Sequence, residues 1–488
     1  MFVLRRKSLA IIMKMNVFLR KLLLYVPVKM VPAISGIFLI FYLYKLFPEG
    51  QYVSYSVSLF CSLITAQLCA GWVGNSFIYY YSGLEDKRLF VSNCISVVFF
   101  IAPVSSVLAA AVSVYFSSAE YIFISVWLLC FGQILFFFLS SACQAGFFVK
   151  QQLVAVILQA FTQIALIVLL FKLFEVDFRY ALLSLALGYF VAAFYLLYMI
   201  LKIFGVSNPF SNIGLFKENL KLIFQYGAAL SPWILGMLVM VGADRFAIGY
   251  YNVEFGDAYL SLKDLFVGAA GLLSMPLLMM VHPFVIKRFR EGVFAINMIE
   301  SSSGFLIVSF SLLWGALYFV GFGFFEIITG KVIEVSKLAI LFAFIGVFLN
   351  SASVYFQKRL EVHRKMKFLA YLSMLSAVIS VLCAWIGARY WGVVGASVGV
   401  LLAQILYFSL VTSSLIKRLD LIKSFSAPIL VSALALLAGY ALHLFLEGIA
   451  GPTAEWERSI FWLVGFAGIS LISLWKGVKW SEFMNATV

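Results

Sequence analysis

Apolar residues run through this chain in long, unbroken stretches, of which VVFFIAPVSSVLAAAVSVYF at 97–116 and LALGYFVAAFYLLYMIL at 185–201 are typical. Stretches of about 20 apolar residues are long enough to cross a bilayer as helices. A backbone in hydrocarbon has to satisfy its own hydrogen bonds, which a helix does within itself. The runs are too continuous for barrel strands, whose signature is alternation over about ten residues. Cutting the chain at its charged and turn-forming breaks predicts fourteen spans, at 22–46, 52–81, 90–116, 121–148, 153–174, 181–203, 222–250, 258–286, 300–325, 337–357, 368–388, 392–416, 425–447 and 459–475. The expected fold class is an all-α integral membrane protein.

Composition agrees. Of 488 residues, 64% are hydrophobic and only 11% charged, against roughly 25% charged in soluble proteins. The connections are short, as in SSAE at 117–120, EVDFRY at 175–180 and RYWG at 389–392, and the longest outer one, near EGIAGPTAEWER, holds about a dozen residues. No soluble catalytic domain fits in them.

Charge then orients the spans. With the leader 1–21 placed in the cytoplasm, that side collects 25 of the 35 basic residues and the other side 7, while Lys29, Arg245 and Lys263 fall inside spans. This is the positive-inside pattern, and an even span count puts both termini in the cytoplasm. The net charge of +14 is thereby an orientation signal, and a nucleic-acid partner is not expected. The apolar piece Ser8–Met13 of the leader is too short for a signal-peptide core, and Met15 offers an alternative start. All six cysteines lie in apolar runs without a CxxC or Cys/His cluster, and His282, His363 and His443 are far apart in sequence, so neither a metal site nor a cofactor is expected.

The chain also resembles itself. YVPVKMVPAISGIFL, opening the first span, parallels FQYGAALSPWILGML, opening the seventh, with Pro32 facing Pro232. PEGQY at 48–52 parallels NVEFGDAY at 252–259, and VKQQLVAVILQAF parallels RKMKFLAYLSMLS. Many transporters are built from two such related bundles. The organisation expected is a leader (1–21), a six-helix bundle (22–204), a linker (205–221), a second six-helix bundle (222–419), and two additional helices with a tail (420–488).

The passage SPWILGMLVMVGADRFAIGYYNVEFGDAYLSLKD at 231–264, with its Asp-Arg dipeptide before a Gly-x-Tyr turn, resembles the polysaccharide and O-antigen flippases of the multidrug/oligosaccharidyl-lipid/polysaccharide exporter superfamily. YWGVVGASVGVLLAQ at 390–404 is similar to their Gly-x-x-Gly-Ala pattern opening the twelfth span. The turn here reads Gly256-Asp257-Ala258-Tyr259, one residue longer than the family form. The resemblance spans residues 15 to about 420. It implies a non-enzymatic flippase of the bacterial inner membrane that moves an undecaprenyl-diphosphate-linked oligosaccharide, an O-antigen or capsule repeat unit, from the cytoplasmic to the periplasmic leaflet. A coupling proton or sodium ion, membrane lipids, and polysaccharide polymerase or chain-length proteins are the partners it brings with it. An ion-coupled drug or metabolite antiporter of the same superfamily is the alternative. A polysaccharide polymerase or glycosyltransferase would want a sizeable outer loop carrying catalytic Arg, Asp or His.

Within spans, ionisable residues are functional candidates by default. A diphosphate crossing a low-dielectric slab needs countercharge, which makes Lys29, Arg245 and Lys263 candidates for substrate binding. Arg245 lies about 8 Å from the outer end of its span at 1.5 Å per residue, so snorkelling to the interface is the structural alternative. Asp244 and Asp264 are candidates for ion coupling, or else neutralise the neighbouring cations so that the hairpin inserts. Neighbours on a helix point about 100° apart, so the charges pair either along the chain or across the hairpin, Asp244 with Lys263 and Asp264 with Arg245. Asn75, Gln133, Gln144, Gln159, Gln163, Asn350, Gln357 and Gln404 divide between sugar binding and bonds between helices. Pro32 and Pro232, at matching repeat positions, are the hinge candidates.

Overall fold

A computed structural model describes residues 27–81, 87–117, 119–206, 216–290, 296–363, 365–413, 421–449 and 455–477. The leader, the alternative start at Met15 and the end of the tail lie outside the described residues. Helices account for every expected span. They are α1 (Pro27–Leu46), α2 (Gln51–Tyr81), α3 (Lys87–Ser117), α4 (Phe123–Ala145), α5 (Val149–Leu173), α6 (Phe178–Phe204), α7 (Phe216–Tyr251) and α8 (Gly256–Arg290). Next comes α9 (Ile296–Ala316), which continues through a π-turn at Leu317–Gly321 into Phe322–Thr329. After it α10 (Lys337–Phe356) turns at Gln357 into the short Lys358–Val362. The segment Met366–Ser413 is two helices, α11 (366–390) and α12 (393–413), meeting at Trp391 and Gly392. The chain closes with α13 (Leu421–Ile449) and α14 (Glu455–Gly477). Of these, α7 begins at Phe216, inside the stretch expected as linker.

The α11–α12 junction shows what the glycine pattern does. Gly392 has φ 60° and ψ −141°, a region that only glycine enters readily, and so the expected RYWG loop shrinks to a sharp reversal. Beyond it the helices touch backbone to backbone. A Cβ on Gly395 would lie 2.1 Å from the Gly387 carbonyl oxygen, and one on Gly399 2.3 Å from the Ala384 nitrogen. Small residues let membrane helices approach in this way.

In the first half α2 packs on α3 and α4, α4 on α6, and α5 on α6; in the second half α8 packs on α10, and α10 and α7 on the α11–α12 pair. The added pair α13 and α14 covers α9, pinned by stacked Trp462 and Phe466 with ring centroids 4.4 Å apart. The halves meet along antiparallel α2 and α7. Glycines on α7 admit α2 side chains at this seam: Phe60 fills the place of a Cβ on Gly242, Val57 abuts Gly249, and Trp72 abuts Gly227.

The expected outer connections at 47–50, 174–177, 252–255, 330–336 and 391–392 share one face of the molecule. Phe178 N donates to Gln51 Oε1 at 3.2 Å, Lys331 Nζ donates to the Phe47 carbonyl at 2.6 Å, and Gly392 meets Val253. On the opposite face Phe204 approaches Tyr81 and Phe148, with centroids about 6 Å away. The two faces are called outer and inner below.

Gly395→Val and Gly399→Leu are expected to destabilise by more than about 3 kcal/mol, the upper range of core overpacking, because the obstacle is backbone. Gly346→Ala, whose Cβ would be 4.0 Å from Gln404, serves as the tolerated control. Thermal melting of detergent-purified protein checks this, and equal midpoints for all three variants would contradict the close packing.

Candidate functional site

The turn between α7 and α8 reverses the chain within four residues, 252–255. Asn252 and Phe255 both take positive φ, 47° and 61°, an uncommon conformation that is a strained outlier for a bulky side chain. Backbone bonds close the turn: Val253 N donates to the Ile248 carbonyl at 3.2 Å and Gly256 N to the Val253 carbonyl at 3.1 Å. The reversal sets residue 244 opposite 263 and residue 245 opposite 264.

The pairing runs across the hairpin. Lys263 Nζ donates to both carboxylate oxygens of Asp244, at 2.6 and 2.5 Å, and to the Val241 carbonyl at 2.8 Å. Tyr259 Oη donates to Asp244 Oδ2 at 2.7 Å. Asp244 is wholly buried and Lys263 is 1% exposed. Arg245 forms an ion pair with Asp264 through NH2 and donates through NH1 to Ser56 Oγ, while its guanidinium lies 5.0 Å from the Phe60 ring centroid. Asp264 Oδ2 also accepts from Tyr52 Oη and Ser56 Oγ, each at 3.2 Å. Two cations and two carboxylates thus make a neutral cluster about 9–12 Å inside the helix ends, at 1.5 Å per residue.

The cluster's position is as informative as its charge. Asp244, Arg245, Lys263 and Asp264 belong to the second half, whereas Tyr52, Ser56 and Phe60 come from α2 in the first. An uncompensated charge this deep would cost several kcal/mol, so the hairpin neutralises itself and then offers Arg245 and Asp264 to α2. Snorkelling is not what these side chains do. Arg245 is 5% exposed, and its Nε has no hydrogen-bond partner among the described residues.

A second set of contacts closes the outer face above this cluster. Asp257, in the first turn of α8, accepts from Gly50 N at 2.5 Å and Val53 N at 2.7 Å, and so caps the N-terminus of α2 in the other half. Gly50 has φ 79°, a conformation that glycine adopts without steric cost. Lys331, also from the second half, caps the carbonyl just past α1, and in the reverse direction Lys45 Nζ donates to the Ile328 carbonyl at 3.1 Å, near the end of the Phe322–Thr329 helix. Partial burial holds the Lys331 ammonium below the usual lysine range, with Asp257 and Glu49 pulling it back up. A cavity of about 610 Å³ opens here between the halves, edged by Glu49, Asn252, Glu254, Asp257, Lys331 and Glu334.

Of the sequence-predicted residues, the structure brings Asp244, Arg245, Lys263 and Asp264 together and places the rest elsewhere. Lys29 is half-buried in the first turn of α1, at the inner end. Pro32 and Pro232 both lie within continuous helix. Gln357 accepts from Tyr407 Oη at 2.9 Å and Gln163 donates to the Leu185 carbonyl at 3.2 Å, both bonds between helices. Sequence reasoning did not single out Tyr52, Ser56, Asp257, Tyr259, Lys45 or Lys331 as site residues. One signal was available: PEGQY and NVEFGDAY, noted as repeat partners, are the two turns that Asp257 and Gly50 join.

No protein-family model and no curated protein matches the chain. Solved structures do match it. The lipid II flippase MurJ in an inward closed conformation has a TM-score of 0.70 at 14% identity, over 92% of this chain and 98% of that one. The eukaryotic MATE transporter AtDTX14 has a TM-score of 0.54 at 13% identity, over 87% and 99%. An inward-facing multidrug resistance MATE family transporter of the MOP superfamily has 0.52 at 16%, over 79% and 99%. At such identities the likeness is one of fold, and this chain has the fold of these proteins.

Lys263→Met leaves Asp244 buried without its cation and is expected to lower stability by about 3–5 kcal/mol. Adding Asp244→Asn, which keeps an acceptor for Tyr259, should recover most of the loss. Thermal unfolding of the single and double variants reads the difference, and additive losses would show that the two side chains do not compensate each other.

Proposed function

We propose that the protein is a flippase that carries an undecaprenyl-diphosphate-linked oligosaccharide, of the O-antigen or capsule repeat type, across the bacterial inner membrane by alternating access. In this reading the inner face is cytoplasmic, as the basic residues indicate, and the present state is closed on the periplasmic side. The observation that carries the reading is the position of the charged cluster. Two cations sit where the halves meet, one of them bonded directly to the opposite half, so that separating α2 from α7 and α8 uncovers Arg245 and Asp264 together.

The chemistry suits an anionic lipid. Lys29, inside the inner end of α1, forms no ion pair with a described residue and provides a cation at the cytoplasmic entrance for the diphosphate. Arg245 becomes the matching cation at the exit. It is held by Asp264 until a proton or sodium ion takes the carboxylate, which couples release to ion entry. Lys263 stays with Asp244 and keeps the hairpin neutral. An apolar groove of about 460 Å³ between α9, α10, α12 and α13, walled by Phe310, Trp314, Phe344, Phe348, Phe408 and Leu436, offers hydrocarbon-like surface for part of a polyprenyl chain. The lipid II flippase of the same fold supports a lipid-linked cargo, and the intraspan cations favour it over a cationic drug. Pro32 and Pro232 are the flexure points this reading assigns to α1 and α7, where each removes one backbone bond.

Lys29→Ala and Arg245→Ala, at normal expression, are each expected to stall surface polysaccharide assembly, with lipid-linked precursor accumulating in the cytoplasmic leaflet. Surface glycan at wild-type amounts in both variants would refute these sites. In proteoliposomes the purified protein is expected to move the labelled lipid-linked oligosaccharide between leaflets, with Arg245→Ala reducing the rate at least tenfold.

A further inference from the structure

The cover that α7 gives α2 changes along its length. Near the outer end the α2 face bearing Val53, Val57 and Phe60 is closed by Gly249 and Gly242 of α7. Toward the inner end α7 has moved round the helix, to Trp72 against Gly227 and to Ser76, whose Oγ donates to the Ile223 carbonyl at 2.9 Å. The stripe that continues the outer face, Ile64, Gln67, Gly71, Asn75 and Ile78 at spacings of three and four, is left with little over it. A Cβ on Gly71 would meet only the tip of Ile234, at 3.4 Å, and its own helix's Gln67. Asn75 and Ile78 are exposed and Gln67 is half-buried.

An exposed amide inside a span does not face hydrocarbon, where leaving it unbonded costs several kcal/mol. Asn75 is six residues, about 9 Å, from the inner end of α2, and Gln67 is near the middle of that 31-residue helix. The stripe therefore faces a watered space between the halves. Aromatic rings border it. Trp72 stands edge-on to Phe224 at 6.0 Å, and Phe224 is 60% and Tyr79 52% exposed. Gln225, beside Phe224 on α7, is exposed as well. The stripe itself holds no charged side chain. Amide donors and acceptors, the half-buried Gly71 with no side chain of its own and aromatic faces suit a neutral, hydroxyl-rich ligand and do not suit a diphosphate or a cation.

We propose that this stripe is a saccharide subsite: Gln67 and Asn75 bond sugar hydroxyls, and Trp72 and Tyr79 present ring faces to the sugar. The sugar chain is then read on α2 while cations elsewhere meet the diphosphate, so that glycan selectivity and phosphate recognition reside in separate side chains. The inference rests on the flippase reading above and names where the head group of its cargo is distinguished.

The test uses the full-length protein in proteoliposomes with two undecaprenyl-diphosphate lipids, one bearing a single labelled sugar and one a labelled tetrasaccharide. Leaflet exchange is followed by quenching from outside. Gln67→Leu and Asn75→Leu are expected to raise the half-saturating concentration of the tetrasaccharide lipid about tenfold, and that of the single-sugar lipid much less. Asn75→Gln should restore most of the difference, and unchanged melting temperatures show that the variants fold. Half-saturating concentrations at wild-type values in both leucine variants, or equal losses for the two lipids, would overturn the subsite while leaving the flippase reading intact. A wild-type protein that moves neither lipid would overturn the flippase reading itself, and the subsite with it.

Discussion

Charge buried in hydrocarbon has to be neutralised where it sits, and the organisation of this protein follows from how that is done. Asp244, Arg245, Lys263 and Asp264 form a closed set within one hairpin, so the hairpin enters the membrane without net charge. The two pairs then serve different ends. Among the described residues Asp244 and Lys263 bond only to α7 and α8. Arg245 and Asp264 bond in addition to Ser56 and Tyr52 of α2. One pair belongs to the fold of its own half, and the other is shared between halves.

The outer contacts repeat this logic with backbone groups. Helix ends carry unbonded N–H and C=O groups and the partial charges that go with them. Here the first turn of α2, the carbonyl just past α1 and a carbonyl in the last turn of the Phe322–Thr329 helix are each capped by a charged side chain from the other half. Such caps are strong while the halves touch and readily replaced by water once they part. Contacts of that kind let two halves part on this face at little cost, whereas an apolar seam would resist separation. The seam between α2 and α7, by contrast, depends on glycines that admit large side chains, and its geometry changes from the outer to the inner end.

Much of the architecture was legible in the sequence because its cause is local. A helix in lipid declares itself by length and hydropathy, so the spans and their order needed no tertiary knowledge. The glycines of YWGVVGASVGVLLAQ were conspicuous in the sequence, but the structure supplies the reason for two of them in the contact of Gly395 and Gly399 with Gly387 and Ala384. The four charges were conspicuous for the same local reason. Which charge pairs with which was not, because the α7–α8 turn sets that register, and Phe255 in it adopts a positive φ that its side chain does not announce. Tyr52 and Ser56 look like ordinary residues of an apolar span, and only the approach of α2 to the hairpin turns them into partners.

The cap on α2 also bears on the order in which the molecule is made. Val53 receives its acceptor from a residue 204 positions later, and the carbonyl of Phe47 receives its donor 284 positions later. During synthesis the first bundle therefore spends the passage of several further helices with those backbone groups facing water at the membrane surface. The outer clamp is a late assembly event, one that the nascent first half has no means of completing alone.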